Sequence, residues 1–522
     1  MRTCHALAAV LIAGTATLLA GEAPGWPYYL GPNSNLSATE TGVALVDDLG
    51  KAALVWKSEA KTPPGAAQSQ RYGRGHGWHR ISLNDFNERK LPLRDGGTTT
   101  SGGGVPLPGG GANSLLVSNG VVYCTYFSPS GDVIDADEAA KRSPGGEGTW
   151  SPSYWKVSAD DVIVAIDAAT GKTRWTRTFA DKGMNWCDHK SIITGHTGCV
   201  FDGRVYALGS TCRIYCVSAS SGAVVWEGAL PGENEKFEAL KKANLAAKKV
   251  FSGMNRQHCN SMGYAGGVLV CPDFNGGIVA FDGANGSVLW KKADCIGKYG
   301  TPTRWVHEGQ ESILVGSPSG TVRCIEPRSG EERWTIAVGS NLHSLPVSGD
   351  ILICNSTPST GESLGIGAGQ SLRPAGYRMT LTGATKLWQH DKEACGWITD
   401  GTTGVPIWKT TGFVRSNSGT TMFDIATGKI LGHCAEAKIV QESHGYCAEG
   451  RFFHEPDSQH GRIHDVIMTG TAPDTFKPMG TAWTPPHYSA TGYEMPMSHP
   501  VVGGLIYLRG ADGVYCYDLR KR

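Results

Sequence analysis

The stretch Ala165-Ile-Asp-Ala-Ala-Thr-Gly-Lys-Thr-Arg-Trp175 decides the fold of this chain, because versions of it recur along the sequence. Each copy spans eleven positions, and consecutive Trp positions lie 44 to 64 residues apart. The fifth copy has Ala384 at the glycine position, and the sixth has Gly432 at the Trp position. The copies are residues 165–175, 216–226, 280–290, 324–334, 378–388 and 422–432.

Each copy predicts a strand, a tight turn and a second strand. The Asp eight residues before the Trp is expected to accept hydrogen bonds from the turn backbone, and the Gly four residues before the Trp to adopt a positive φ. The Trp then starts the next strand and is expected to lie between neighbouring sheets. We therefore give these positions a structural role. They are Trp175, Trp226, Trp290, Trp334 and Trp388, Asp167, Asp282 and Asp424, and Gly171, Gly222, Gly286, Gly330 and Gly428.

A second hairpin precedes most copies, so that each unit predicts a four-stranded antiparallel blade of an all-β propeller. The C-terminal unit, residues 503–518, stops just after its Asp position, whereas residues 53–58 resemble a last strand that carries Trp56. Pairing the two segments closes the ring and removes the exposed sheet edges. With a weaker unit from Ser443 to Met479, the count is eight blades, and seven is the alternative.

The repeat resembles that of the PQQ-like β-propellers, a superfamily that includes quinoprotein alcohol dehydrogenases and outer-membrane assembly lipoproteins. The opening Trp26-Pro-Tyr-Tyr-Leu-Gly-Pro-Asn and the closing residues 508–520 are similar to those of exported bacterial members. For the dehydrogenases, the resemblance implies PQQ held over Ca²⁺ by Glu, Asn and Asp, beside adjacent cysteines. No Cys-Cys pair occurs in this sequence, and the ligand set has no assigned residues here. For the assembly proteins, the resemblance implies envelope protein partners.

Composition excludes several functions. Lys+Arg is 48 and Asp+Glu is 47, so the net charge of +1 gives no drive toward nucleic acid. Glycine contributes 71 of 522 residues and charged residues 18%, which is typical of a turn-rich protein and not of long helices. No phosphate-binding loop or dinucleotide fingerprint appears.

The first residues predict export. Arg2 precedes the apolar residues 6–20, and small residues follow at Gly21 and Ala23. We assign residues 1–20 to a signal peptide and residues 21–522 to one propeller domain, with insertions at 62–113, 131–158 and 232–254. The interpretation is a periplasmic or secreted bacterial protein with no membrane anchor, because the apolar stretch is short and no lipobox Cys ends it.

Fourteen cysteines follow Cys4, in a compartment where disulfides persist. Many stand singly in apolar strand-like segments, such as Cys124 and Cys271, which favours buried thiols. The pairing cannot be assigned from sequence.

Five histidines recur shortly before the first hairpin turn of a blade, where first strands enter the channel. One hypothesis is that they surround the channel mouth and bind a transition metal or a substrate. The alternative is that each imidazole makes a local hydrogen bond. They are His196, His258, His343, His444 and His499.

Another His-rich segment is residues 454–465. His454 and His460 flank a predicted hairpin turn, so we expect both to be exposed. The segment lacks the order of ligands found in zinc proteases.

The sequence thus predicts a propeller that binds a ligand or cofactor, such as a small molecule or glycan, at one end of its channel. Oxidoreductase activity is the hypothesis that the family resemblance adds. The alternative is a non-catalytic scaffold for envelope proteins or glycans. A ligand site should gather polar side chains at one channel mouth, whereas a scaffold should expose an apolar patch on a rim.

Overall fold

The fold was analysed in a computed structural model. It describes residues 24–62, 113–134, 156–185, 196–248, 260–297, 300–338, 344–356, 373–390, 404–416, 418–437, 444–455, 466–483, 499–509 and 513–522. All statements about structure refer to these ranges.

Eight antiparallel sheets form the blades of a ring, which confirms the eight-bladed propeller. First strands of neighbouring blades touch in blades 1 to 4 and between blades 6 and 7, as expected for the strands that line the central channel. Blades are numbered from the first complete one. Blade 1 contains β2 (Leu116–Ser118), β3 (Val121–Ser130), β4 (Ser158–Asp167) and β5 (Thr173–Met184), and blade 2 contains β6 (Cys199–Phe201), β7 (Arg204–Leu208), β8 (Arg213–Ser218) and β9 (Val224–Ala229). Blade 3 contains β10 (Gly263–Ala265), β11 (Val268–Pro272), β12 (Ile278–Asp282) and β13 (Val288–Lys292). Blade 4 contains β14 (Thr303–His307), β15 (Gln310–Gly316), β16 (Thr321–Ile325) and β17 (Glu332–Ala337).

The second half of the ring follows the same plan. Blade 5 contains β18 (Val347–Ser348), β19 (Ile351–Ser356), β20 (Arg373–Thr380) and β21 (Gly383–Gln389), and blade 6 contains β22 (Ile407–Trp408), β23 (Thr411–Ser416), β24 (Gly419–Asp424) and β25 (Ile430–Cys434). Blade 7 contains β26 (His444–Ala448), β27 (Arg451–Glu455) and β28 (Ile467–Gly470). Blade 8 contains β29 (Val501–Val502), β30 (Leu505–Arg509), β31 (Val514–Asp518) and β1 (Ala53–Lys57).

Blade 8 closes the ring as the sequence predicts. Strand β1 pairs antiparallel with β31, with Trp56 opposite Cys516. In blade 1, Trp175 lies opposite Ala165 in the same relation. The N-terminal strand therefore supplies the outer strand that the C-terminal unit lacks.

Blade 7 is the least regular blade. Its sheet has three strands in the described part of the chain. Residues 478–483 continue it through isolated bridges, one between Val466 and Trp483 and one between Thr469 and Pro478. The weaker unit predicted from Ser443 is thus a blade.

The repeated Trp and Gly meet across blade boundaries. The Trp226 indole Nε1 donates to the Gly283 carbonyl of the next blade at 3.0 Å. Gly286, with φ 76°, lies against the ring of Trp226, and a Cβ there would stand 2.6 Å from it. The same arrangement joins the other regular blades. The pairs are Trp56 with Gly171, Trp175 with Gly222, Trp290 with Gly330 and Trp388 with Gly428.

The Asp of the motif holds the turn. Asp167 accepts from the backbone N–H groups of Ala169 and Thr170 at 3.1 and 2.9 Å. Because a carboxylate at this point satisfies turn donors, the third strand ends where the motif predicts.

The ring has two unlike faces. Each first strand runs from what we call the upper face to the lower face, where a tight turn leads into the second strand. The second and third strands join at the upper face, and so do successive blades. The strand ends that flank the predicted insertions 62–113, 131–158 and 232–254 lie at the upper face.

The insertion after β9 contains helix α1 (Glu233–Ala246). Lys241 of α1 is buried and donates to the Asp181 carboxylate at 2.9 Å, so one lysine docks the helix on blade 1. A short 3-10 helix (Leu49–Lys51) precedes β1. Within the described ranges, no helix is long and apolar enough to cross a membrane.

Candidate ligand site at the upper face of the channel

Residues 26–38, which we call the plug, cross the inside of the ring. The backbone of Trp26 pairs with Val117 of blade 1, at 2.7 and 3.0 Å. On the far side, the Ser34 carbonyl accepts from the Val347 N–H of blade 5 at 3.1 Å, and the Asn35 carbonyl accepts from the Ile407 N–H of blade 6 at 3.0 Å. Blades 1 and 5 lie opposite each other in an eight-membered ring, so the plug spans the channel.

The plug lies at one depth. The first-strand residues that bond it each stand two positions before the lower-face turn, and they belong to blades 1, 2, 5, 6 and 7. They are Val117, Val200, Val347, Ile407 and Cys447.

Both ends of the plug lead to the lower face. Trp26 runs antiparallel to β2, whereas Ser37 runs parallel to β26. Beyond the plug, the Glu449 carboxylate in a lower-face turn accepts from the backbone N–H groups of Thr41 and Gly42 at 2.9 and 3.0 Å. The channel is therefore occupied near its lower end, and its upper part is what remains for a ligand.

Buried polar side chains gather at the upper ends of the first strands. They stand just before these strands begin, and each is at most 4% exposed. They come from six of the eight blades. They are Asn113, Ser114, His196, Thr197, Asn260, Ser261, Thr301, Ser344 and His499.

Hydroxyl groups link neighbouring blades at this level. The Thr197 hydroxyl accepts from the Ser114 N–H at 2.9 Å, and the Ser261 hydroxyl accepts from the Thr197 N–H at 3.3 Å. The Ser344 hydroxyl accepts from the Thr301 N–H at 3.1 Å. These interblade hydrogen bonds fix the spacing of the upper ends.

His196 is held in a dry environment. Burial lowers the pKa of its imidazole to about 4, although a hydrogen bond with the Asn260 backbone opposes the shift. The ring meets Phe274 edge to face at 6.0 Å, and Phe274 contacts Phe237 of α1. His196 is therefore a neutral imidazole at physiological pH, held in place by an aromatic stack that reaches α1.

Two neighbouring residues offer oxygens to the interior. The Asn260 amide donates to the Gly297 carbonyl at 2.6 Å, which turns the side chain toward the start of blade 4. Its Oδ1 and the Oγ1 of Thr301 are buried and have no hydrogen-bond partner among the described residues. Buried polar groups normally have partners, so these atoms are candidate contacts for a ligand.

Asp161 at the boundary of blades 1 and 2 has a structural explanation. Its carboxylate accepts from the Ser210 N–H and hydroxyl at 3.0 and 2.9 Å and from the Tyr215 hydroxyl at 2.8 Å. Burial raises its pKa. It lines a small cavity with Asn113 and Thr125, which has room for about one water molecule.

Two buried arginines stand at equivalent positions near the upper ends of β23 and β30. Arg509 donates to the carbonyls of Asn113 and Thr125, both at 3.1 Å. Arg415 donates to the Gly404 carbonyl at 3.2 Å. Both are at most 2% exposed, and burial lowers the pKa of Arg509. They place positive charge beside the channel in blades 6 and 8.

The structure describes three of the five predicted histidines. His196 lies three residues before β6, and His499 lies two residues before β29, where it faces Tyr446 at 6.5 Å. His444 is the first residue of β26. His258 and His343 lie outside the described residues. In the described ranges, no three His, Cys, Asp or Glu side chains converge on one point, so the metal hypothesis remains a prediction.

The described donor set does not match the one that the resemblance implies for PQQ over Ca²⁺. Calcium favours carboxylate oxygens. At the upper ends of the first strands, the described residues offer amides, hydroxyls and imidazoles, and Asp161 is occupied by its three donors. No step is therefore assigned to a quinone.

The structure corrects the expectation for His454. It lies within β27, opposite Gly445 and Ile467, and is fully buried. Strand pairing on both sides explains the burial. His460 lies outside the described residues.

Sequence reasoning missed Asn260, Thr301 and the hydroxyl bridges, because only histidines were sought. A spacing signal does exist. A hydroxyl residue stands five positions before the lower-face turn in several blades: Ser114, Thr197, Ser261 and Ser344.

Comparison with known proteins agrees with this architecture. The family model described as outer membrane protein assembly factor BamB matches residues 159–341 and 274–444, together more than half of the chain. The chain therefore belongs to this family of PQQ-like β-propellers.

Individual relatives are distant. Tetrathionate hydrolase of Acidithiobacillus ferrooxidans is 26% identical over 178 residues, which cover 33% of this chain and 31% of the relative. The crystal structure of BamB from Moraxella catarrhalis has a TM-score of 0.45 at 13% identity, covering 69% of this chain and 89% of that one. Quinohemoprotein alcohol dehydrogenase from Comamonas testosteroni has a TM-score of 0.39 at 12% identity, covering 89% and 82%.

Proposed function

We propose that this chain is an exported PQQ-like propeller that binds a small polar ligand in the upper part of its channel. One observation carries the proposal: buried polar side chains from six blades stand at one level, at the upper ends of the first strands, while the plug occupies the lower end. A polar site with one blocked end is suited to holding a molecule that enters and leaves through the other end.

The polar groups of the site indicate which functional groups and which charge the ligand carries. In blades 2 to 4, Asn260 Oδ1, Thr301 Oγ1 and the neutral His196 suit hydroxyl or amide groups. In blades 6 and 8, the guanidinium groups of Arg415 and Arg509 favour a partial or full negative charge. Any oxidoreductase activity, or a hydrolysis like that named for the tetrathionate relative, would act on a molecule held here.

The scaffold alternative has one supporting observation. Large apolar side chains are exposed at the start of outer strands, among them Leu54 and Val55 on β1 and Val224 and Val225 on β9. They are single residues or pairs on different blades, and scattered surface apolar residues are ordinary. The ring of buried polar side chains at the upper face therefore favours ligand binding over a rim interface.

Thermal-shift and native mass measurements on the full chain test the proposal. The probes are PQQ with Ca²⁺, Cu²⁺, tetrathionate, short alcohols and uncharged monosaccharides. Asn260→Ala is expected to weaken binding of the active probe by about 10-fold or more, which is the loss of one or two good hydrogen bonds.

Asn285→Ala is the matched control, because Asn285 lies in the same blade at the lower face, where its side chain caps a turn. We expect it to bind like the wild type. If no probe binds, or if both variants bind equally well, the ligand site is not where we place it. Stable capture of a protein partner without small-molecule binding would favour the scaffold.

A further inference from the structure

We infer that the first strands of blades 1, 2, 5, 6 and 7 form a peptide-binding site, which residues 26–38 of the same chain occupy and which would hold this peptide even without its covalent connection to the ring. This inference does not depend on the proposed function. It concerns the lower half of the channel, whereas the ligand site lies in the upper half.

Backbone hydrogen bonds give the site its affinity. Besides the pair at Trp26, the carbonyls of Pro27, Ser34 and Leu36 accept from Val200, Val347 and Cys447 at 2.8, 3.1 and 2.9 Å. The ring supplies most of the donors and the plug most of the acceptors. A proline at position 27 is therefore compatible with the site, because its carbonyl is the bonding group.

Side chains give the site its specificity. Trp26, Tyr28, Tyr29, Leu30 and Leu36 are each at most 1% exposed. Trp26 meets Tyr446 of blade 7 edge to face at 6.4 Å, and Tyr28 faces Phe201 of blade 2 at 5.9 Å. Aromatic rings that fill defined pockets are the usual anchors of recognition.

The local turns of the plug fit its path across the ring. Gly31, Ser34 and Leu36 have φ of 75°, 58° and 60°, so the chain reverses between blade 2 and blade 5. The Tyr28 hydroxyl donates to the Ser34 hydroxyl across this reversal. Contacts within the plug itself therefore stabilise the bend that directs it toward blade 5.

The connection to the rest of the chain is accessible. Glu40, Thr41 and Gly42 are exposed, and the Glu449 carboxylate holds the last two of them. A cut after Gly42 would leave the plug, with Thr41 and Gly42, on one peptide and the ring, with the Glu449 carboxylate that holds them, on the other. The occupant can thus be separated without touching the channel.

The test uses the full chain with a specific protease site inserted between Gly42 and Val43. After cleavage in native buffer, we expect the N-terminal peptide to remain with the ring in native mass spectra and size-exclusion chromatography. A labelled synthetic peptide of residues 24–42 should then replace it in a saturable manner, with mild urea used to release the resident peptide. The same peptide with Trp26→Ala should bind about 100-fold more weakly or worse.

Glu449 and Glu308 occupy equivalent turns, so one tests the contact with Thr41 and Gly42 and the other serves as the control. Glu449→Gln in the ring should speed release of the peptide about 3- to 10-fold, because the amide replaces a charged acceptor. Glu308→Gln should leave release unchanged, since Glu308 holds the same place in the turn of blade 4, with φ 49° against 48°. Loss of the peptide on cleavage with no change in melting temperature would overturn the inference. So would equal binding of a scrambled peptide.

Discussion

The two faces of the propeller are built by different chemistry. At the lower face, blades 1 to 4 and blade 6 repeat one solution: a short turn, a glycine with positive φ, and a tryptophan from the preceding blade. At the upper face, neighbouring blades present different polar residues at the same level, such as His196, Asn260 and Thr301 in blades 2 to 4. Repetition at one face keeps the ring together, and variation at the other gives it a site.

This contrast also separates stability from function. The lower-face contacts are packing contacts between rings and glycines, whereas the upper-face groups are buried donors and acceptors whose satisfaction depends on geometry and protonation. Substitutions at the lower face should therefore change the free energy of unfolding alone. Substitutions at the upper face should also change its pH dependence or ligand binding.

Gly286→Ala should have the largest effect on stability. Gly286 and Gly309 both have φ 76°, but an added Cβ would lie 2.6 Å from Trp226 at Gly286 and would meet nothing within 4 Å at Gly309. We expect Gly286→Ala to lower the free energy of unfolding by about 3–4 kcal/mol, as the sum of left-handed strain and overpacking, and Gly309→Ala by about 1 kcal/mol.

Chemical denaturation of both variants measures the difference. Equal losses for the two variants would mean that backbone conformation alone, and not the Trp–Gly contact between blades, makes this position require glycine. Packing between blades would then no longer distinguish the lower face from the upper face.

His196 should make stability depend on pH. Its folded pKa of about 4 lies below the usual value, so the unfolded state binds more protons between about pH 4 and 6.5, and stability falls as the pH drops through that window. From pH 7 to pH 5 the loss is about 2 kcal/mol. His196→Gln should remove this part of the slope.

Denaturant melts of wild type and variant at both pH values provide the test. His433→Gln is the control, because His433 is exposed on β25, and its slope should stay that of the wild type. An unchanged slope in His196→Gln would show that folding does not lower the pKa of this imidazole, and would contradict the dry environment assigned to it.

Much of the lower face could be predicted from sequence, because its contacts are made by residues at fixed spacing within a short motif. The spacing of Asp167, Gly171 and Trp175 specifies the turn, and the same spacing identified Trp56 as the missing partner of the last blade. Such contacts repeat, so six copies reinforce one interpretation.

The plug and the polar site could not be predicted in this way. The plug bonds five blades that are scattered along the chain, and none of those bonds leaves a local pattern around Trp26. Asn260 and Thr301 share a place in the fold but not a residue type, so a search for one kind of side chain passes over them. His454 is buried because two strands pair with its own, which sequence near it does not reveal.

The hydroxyl bridges between blades should have the smallest effect, and they test whether the upper face also contributes to stability. Thr197→Val keeps the shape of the side chain but removes the acceptor for the buried Ser114 N–H, now paired at 2.9 Å. We expect a loss of about 1–2 kcal/mol in the free energy of unfolding, because a buried donor is left without a partner. Thr176→Val, at an exposed position of β5, should change stability by less than about 0.5 kcal/mol. If Thr197→Val is equally neutral, water satisfies the Ser114 N–H, the upper ends of blades 1 and 2 are not joined by this bond, and the spacing of the polar site is set by the first strands and the plug beneath it.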